Sequence, residues 1–265
     1  MWPETKPIKV NLSKFDVIEI IEVSDPHFGN ECFDQSRWNR LCEYILAEPN
    51  RFVIWAGDLM ENAIPGSKSN PLTQTMTPHE QREYDEQREY VVAMFKMFKD
   101  RTLAIVDGNH EYNRSTKAAG LYPLYDAACI AGLEDRYRSS YAILDVKVGN
   151  KARGRKGEAN TFVGYICHKT KKMKNFAATD FLEGFDFVVG AHDHEPEDHP
   201  RAHLCYDRQK SIVSFKSVEH IDNGANLLFG GYAAQGGGRP KSMKMYKLIC
   251  YGDRDKSIQT LGYYI

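Results

Sequence analysis

The side chains best equipped for chemistry fall into five short blocks: Asp25-Pro26-His27, Gly57-Asp58, Gly108-Asn109-His110-Glu111, His168, and His192-Asp193-His194. Mixed carboxylate, amide-oxygen and imidazole donors suit Mn²⁺ above all, with Fe, Zn²⁺, Co²⁺ or Ni²⁺ also fitting, better than they suit the all-oxygen cage of calcium. Two such ions about 3.5 to 4 Å apart need a shared carboxylate, several nitrogen or oxygen ligands, and open positions for water and substrate. The inventory meets that demand. Asp25 and His27 are two apart, a spacing that on an extended segment points both side chains the same way, toward one ion. His192 and His194 stand in the same relation, so each can reach a different ion if the pair straddles the site. Asp58 is positioned to bridge, Asn109 offers a carbonyl oxygen, and His168 completes the set. His110 is the candidate to stabilise a transition state and hand a proton to a leaving oxygen. Asp107 and Glu111 read as groups that orient neighbouring imidazoles.

Each block ends an apolar, strand-like run: Val17 to Val23, Phe52 to Ala56, Leu103 to Val106, Thr161 to Cys167, and Phe185 to Ala191. Between the first two, Trp38, Leu41, Cys42 and Ile45 recur at helical spacing, from about Phe33 to Leu46, with Pro49 closing the helix. That is a βαβ opening. Its parallel strands must end on one sheet edge, where open α/β sheets place ligands. Thr77-Pro78-His79-Glu80 is a capping box for a helix to about Lys99, with a charged, solvated first half and a core-like second half. Another helix is expected over about 118–131. Tyr141 to Val148 and Thr161 to Cys167 read as a hairpin whose tip, Gly149 to Gly157, carries four basic residues. Short strands are expected at 212–215, 227–229, 243–251 and 258–264. Residues 60–77 read as a long loop beside the site, and Gly236-Gly237-Gly238 lacks the ending of a phosphate-binding loop.

With 265 residues, 42% hydrophobic, the chain can bury a full core, and one domain over 1–265 is the expectation. A formal net charge of -1 excludes a globally basic nucleic-acid glove, so any polyanion must meet local patches. The six cysteines lack C-x-x-C spacing and read as reduced thiols. The N-terminal residues carry no apolar signal core, and no segment approaches the roughly 20 apolar residues of a membrane span. A cytoplasmic protein with no membrane contact is the expectation.

All five blocks occur in the order found in calcineurin-like metallophosphoesterases, and the chain resembles that family from Asp25 to His194. The resemblance implies an α/β fold: a metallophosphoesterase-type β-sandwich with helices on both outer faces, four layers α/β/β/α. It implies two divalent metal ions, one held by Asp25, His27, Asp58 and His194, the other by Asp58, Asn109, His168 and His192. It also implies hydrolysis of a phosphoester, by attack of a metal-bridging hydroxide with His110 assisting the leaving group; the catalytic set is His110, Asp58 and Asn109. The Gly57-Asp58-Leu59-Met60-Glu61-Asn62 block lacks the arginine of protein Ser/Thr phosphatases, and the Asp25-Pro26-His27-Phe28-Gly29 and Gly57-Asp58-Leu59 wording is similar to DNA-repair exonucleases of the nuclease-subunit type. Lys169, Lys171 and Lys172, in a basic run with Lys174, and Arg114 are candidate substrate contacts; a solvated loop is the other reading of the run. The leading expectation is a phosphodiesterase acting on DNA, RNA or nucleotides. A phosphomonoesterase of a small metabolite or nucleotide, and an inactive metal-binding scaffold, are the alternatives. His79, His199, His203 and His220 read as surface or packing residues.

Overall fold

The computed structural model describes residues 6–62, 84–149, 159–169, 184–209, 211–230 and 239–265. The strands are β1 (Ile8–Leu12), β2 (Val17–Val23), β3 (Arg51–Trp55), β4 (Thr102–Val106), β5 (Tyr137–Arg138), β6 (Tyr141–Val148), β7 (Asn160–Lys169), β8 (Phe187–Ala191), β9 (Glu197–Asp198), β10 (Arg201–Asp207), β11 (Ile212–Asp222), β12 (Lys244–Tyr251) and β13 (Ser257–Tyr264). The helices are α1 (Gln35–Ala47), α2 (Tyr84–Met97), the single turn α3 (Lys117–Ala119) and α4 (Pro123–Ala131).

Two sheets form. One runs β13-β12-β2-β3-β4-β5; the other runs β1-β6-β7-β8-β11-β10, with β9 also on β11. The strands β2, β3 and β4 carry apolar residues on both faces because both are covered. Ile18, Ile20, Phe52 and Ile54 face the second sheet's Leu144, Phe162, Ile166 and Val189. Ile21, Val53 and Trp55 face helix residues Trp38, Leu41, Phe95 and Leu124. The described helices that pack in these cores lie on the six-stranded sheet; residues 170–183 lie outside the described residues. The two-sheet, helix-flanked α/β architecture is the one expected.

Asp34 caps α1, its carboxylate accepting the Arg37 N–H at 2.9 Å. The helix expected over about 118–131 starts later. A π-helical segment, His110–Thr116, runs into α3, which ends at Gly120 with φ 68°; Pro123 then starts α4. The helix expected from Thr77 is described only from Tyr84. In its polar half Gln87 is buried, not solvated, and accepts the Asn62 N–H at 2.8 Å.

β7 runs on to Lys169, so His168 lies inside the strand and not after it. Residues 212–215 belong to the eleven-residue β11, and Leu227 makes only an isolated bridge to Phe33 in place of a strand. The β6–β7 pairing matches the expected hairpin, whose tip from residue 150, like 63–83 and Gly236 to Gly238, lies outside the described residues. Among the described residues no helix is long and apolar enough to cross a membrane.

Candidate metal centre

Parallel register sets the site. Val23 pairs with Trp55, and Trp55 with Ile105, so the segments after β2, β3 and β4 leave from one edge. On the other sheet β7 and β8 are parallel, with Lys169 paired to Ala191 beyond a register shift after Ile166. The two edges meet: His168 Nδ1 donates to Ala56 O at 2.8 Å, and the His192 N–H to Asp25 Oδ2 at 3.1 Å.

Asp25 and His27 do not sit on the extended segment that their spacing suggested. Their φ values are 50° and 49°, and Asp58, His192 and His194 are also left-handed at 49°, 93° and 55°. Such backbone is costly for non-glycine residues and is held by surrounding contacts. Glycine is required at two points: a Cβ on Gly108 would overlap Asp58, and one on Gly57 would overlap Gly108.

The side chains converge in adjoining groups. In the first, His194 Nε2 lies 3.2 Å from Asp25 Oδ1 and 3.2 Å from His27 Nε2. In the second, His168 Nε2 lies 3.2 Å from Asp58 Oδ2 and 3.1 Å from Asn109 Oδ1, and the His168 and His192 rings are 5.3 Å apart. His168 Nε2 is 4.0 Å from Asp25 Oδ1, so the groups share a boundary. All seven sequence-expected ligands are brought together. His110 joins them, its Nε2 3.8 Å from Asp58 Oδ2 and its Nδ1 donating to Glu61 O at 2.9 Å. Asp25, His27, Asp58 and His168 are buried, whereas His192 and His194 are half-buried and form the accessible side.

The donor set fits divalent cations. Asp25 Oδ1 is buried and accepts no hydrogen bond. Because the Ala56 carbonyl can only accept, His168 carries its proton on Nδ1 and turns the Nε2 lone pair inward, as a metal ligand must. Without an ion, protons do the neutralising. Burial alone would lower His168, but Asp58 and Asp25 raise it to about 10. Burial would likewise lower His27, but the Glu61 carboxylate at 3.3 Å leads the groups that raise it to about 9. Burial would raise Asp58 and Asp25, yet the imidazoles outweigh it and hold both below the usual range, Asp58 at about 2. His110 is pushed down to about 4, by burial and then by His27.

Two acids differ from their sequence reading. Glu111 orients backbone, not imidazoles: its carboxylate accepts the N–H groups of Asp58, Met60 and Gly108 at 2.9, 3.0 and 2.9 Å. Asp107 accepts the Tyr137 hydroxyl at 2.6 Å. Glu61 was missed altogether. It is buried, holds His27, and takes an ion pair from Arg114 at 3.1 Å. Its signal was present as an acid three residues after Asp58 beside two apolar residues. Arg114, read as a substrate contact, is thus engaged with the wall of the site. Lys169 ends β7, and Lys171, Lys172 and Lys174 lie outside the described residues. His220 is buried, as a packing residue would be, and His199 pairs with Glu197 at 3.0 Å.

A helix-flanked double sheet with an Asp, Asn and His cluster at its joined edges defines a metal-dependent phosphoester hydrolase. The chain belongs to the calcineurin-like phosphoesterase family, whose model matches residues 18–196, about two thirds of its length. Among solved structures it is similar to a conserved uncharacterized protein, a predicted phosphoesterase, from Streptococcus pneumoniae TIGR4. That likeness covers 93% of this chain and 98% of the other, at 10% identity and a TM-score of 0.38. No curated protein matches the chain.

Proposed function

We propose that the protein is a dinuclear phosphodiesterase acting on nucleic acid or nucleotides. Asp25, His27, Asp58 and His194 hold one cation, and Asp58, Asn109, His168 and His192 hold the other; Mn²⁺ is the first choice. The observation that carries the reading is the convergence of these side chains from both sheets, with Asp58 Oδ2 reached from His168 on one side and His110 on the other. When bound, the cations supply Lewis acidity, lowering the pKa of water and neutralising phosphoryl charge. Glu111 fixes the loops that present Asp58 and Asn109. Glu61 O holds the His110 Nδ1–H, so Nε2 is the ring atom left to exchange a proton with substrate, and it gives one to the leaving oxygen only from the imidazolium form.

The diester reading rests on the basic run Lys169, Lys171, Lys172 and Lys174 next to His168 in sequence, a natural track for successive phosphates. Single-domain organisation is favoured because β12 and β13, beyond the family match, complete the sheet of β2. Six free thiols favour a reducing, cytoplasmic compartment. The test compares Mn²⁺-dependent hydrolysis of an aryl phosphodiester with that of the matching monoester, against metal-stripped protein. Diester preference is expected, extending to DNA or RNA; monoester preference overturns the substrate assignment, and no metal-dependent turnover overturns the centre.

A further inference from the structure

β10 and β11 leave the body of the molecule as a two-stranded ribbon. β8 pairs only with Glu219 to Asp222, whereas β10 pairs with β11 from Ile212 to Val218. Paired residues share a face and faces alternate along each strand. Leu204 with Phe215, and Tyr206 with Val213, therefore lie on one face. Their exposures are 68, 80, 61 and 58%. Ile221, on the same face of β11, is in the core between the sheets, and Thr260 of β13 donates to Glu219 at 2.6 Å. The ribbon is thus the core-facing surface of one sheet carried past the point where the other covers it. Two-stranded ribbons are marginal in water, and apolar patches of this kind mark interfaces.

The face is complementary to itself. From tip to base it presents Tyr206 and Val213, then Leu204 and Phe215, then Ala202 and Ser217. A two-fold axis through the Leu204–Phe215 level sets the large pair Tyr206 and Val213 against the small pair Ala202 and Ser217. We propose that this face is the interface of a two-fold dimer, with the ribbon of a second copy of this chain packed face to face on it. Each ribbon supplies the second layer that the other lacks, as in a β-sandwich.

The experiment is light scattering and sedimentation on the full chain over a range of concentrations. Wild type should be dimeric. Leu204→Arg, at an exposed position remote from the metal centre, should give a monomer with unchanged hydrolysis of a small aryl ester. Ala202→Trp, which fills the space that the partner's Tyr206 needs, should weaken the dimer about tenfold or more, and Ala202→Trp with Tyr206→Ala should recover it. A monomeric wild type overturns the proposal, including one that instead binds phospholipid vesicles through this face. So does a dimer that Leu204→Arg leaves intact, or a weakened Ala202→Trp dimer that Tyr206→Ala does not restore.

Discussion

At the scale of the residue, the centre stores its cation sites as proton sites. His27 and His168 are raised to about 9 and about 10 in the metal-free chain. A group whose folded pKa is raised binds protons more tightly folded than unfolded. Its stabilisation is therefore complete below the unfolded imidazole value of about 6.5 and is lost as pH climbs through 9 to 10. Asp58, lowered to about 2, contributes above its ordinary 3.8 and is lost as pH falls toward 2. Cations displace the imidazole protons and remove the alkaline dependence. Melting temperatures of chelated protein should fall between neutral pH and the alkaline range while those of metal-loaded protein hold; parallel profiles would reject this account. Two substitutions separate the roles of neighbours. Asp58→Asn should lower occupancy of both metals, measured by elemental analysis, and loss of only one would deny it the bridging position. His110→Ala should keep the metals but lose most turnover, about 10²-fold or more, if proton transfer at Nε2 matters; unchanged turnover removes it from the mechanism.

At the scale of the element, legibility followed the physics of burial. β2, β3, β4 and β8 were readable because strands covered on both faces are rich in apolar residues, and the metal ligands because each ends or closely follows such a run. What could not be read depends on partners distant in sequence. Nothing local marks Glu111 as an acceptor for backbone from two loops, or Gln87 as the anchor of Asn62. The left-handed turns at Asp25 and His27 carry no glycine signal. β10 was missed because its alternating residues look like loop until β11 pairs with them. The glycine contacts give a prediction at this level. Gly108→Ala forces a methyl group onto Asp58, which Glu111 and His110 hold from other directions. The loops after β3 and β4 must part, so metal content should fall together with thermal stability. Normal metal content in a folded Gly108→Ala protein would show that the close approach does not position Asp58.

At the scale of the whole molecule, the centre lies across a seam. Asp25, Asp58 and Asn109 follow β2, β3 and β4 of one sheet; His168, His192 and His194 come from β7 and the end of β8 in the other. Among the described residues the direct ties at this end are polar, among them His168 to Ala56 at 2.8 Å, the His192 N–H to Asp25 at 3.1 Å and the Asn223 amide to Glu22 O at 3.1 Å. Cations coordinated from both sides would therefore clamp the sheets together where the apolar core between them runs out. Ligands that bind only the folded state add about 2.7 kcal/mol at a hundredfold excess over Kd. Here the gain should be local as well as global. Chelation should speed hydrogen exchange at the ends of β4 and β8 alike, leaving the middle of each sheet protected until global unfolding. Faster exchange confined to one sheet would mean that the ions rest on that sheet alone, and the seam would then be held by the imidazole and backbone contacts without them.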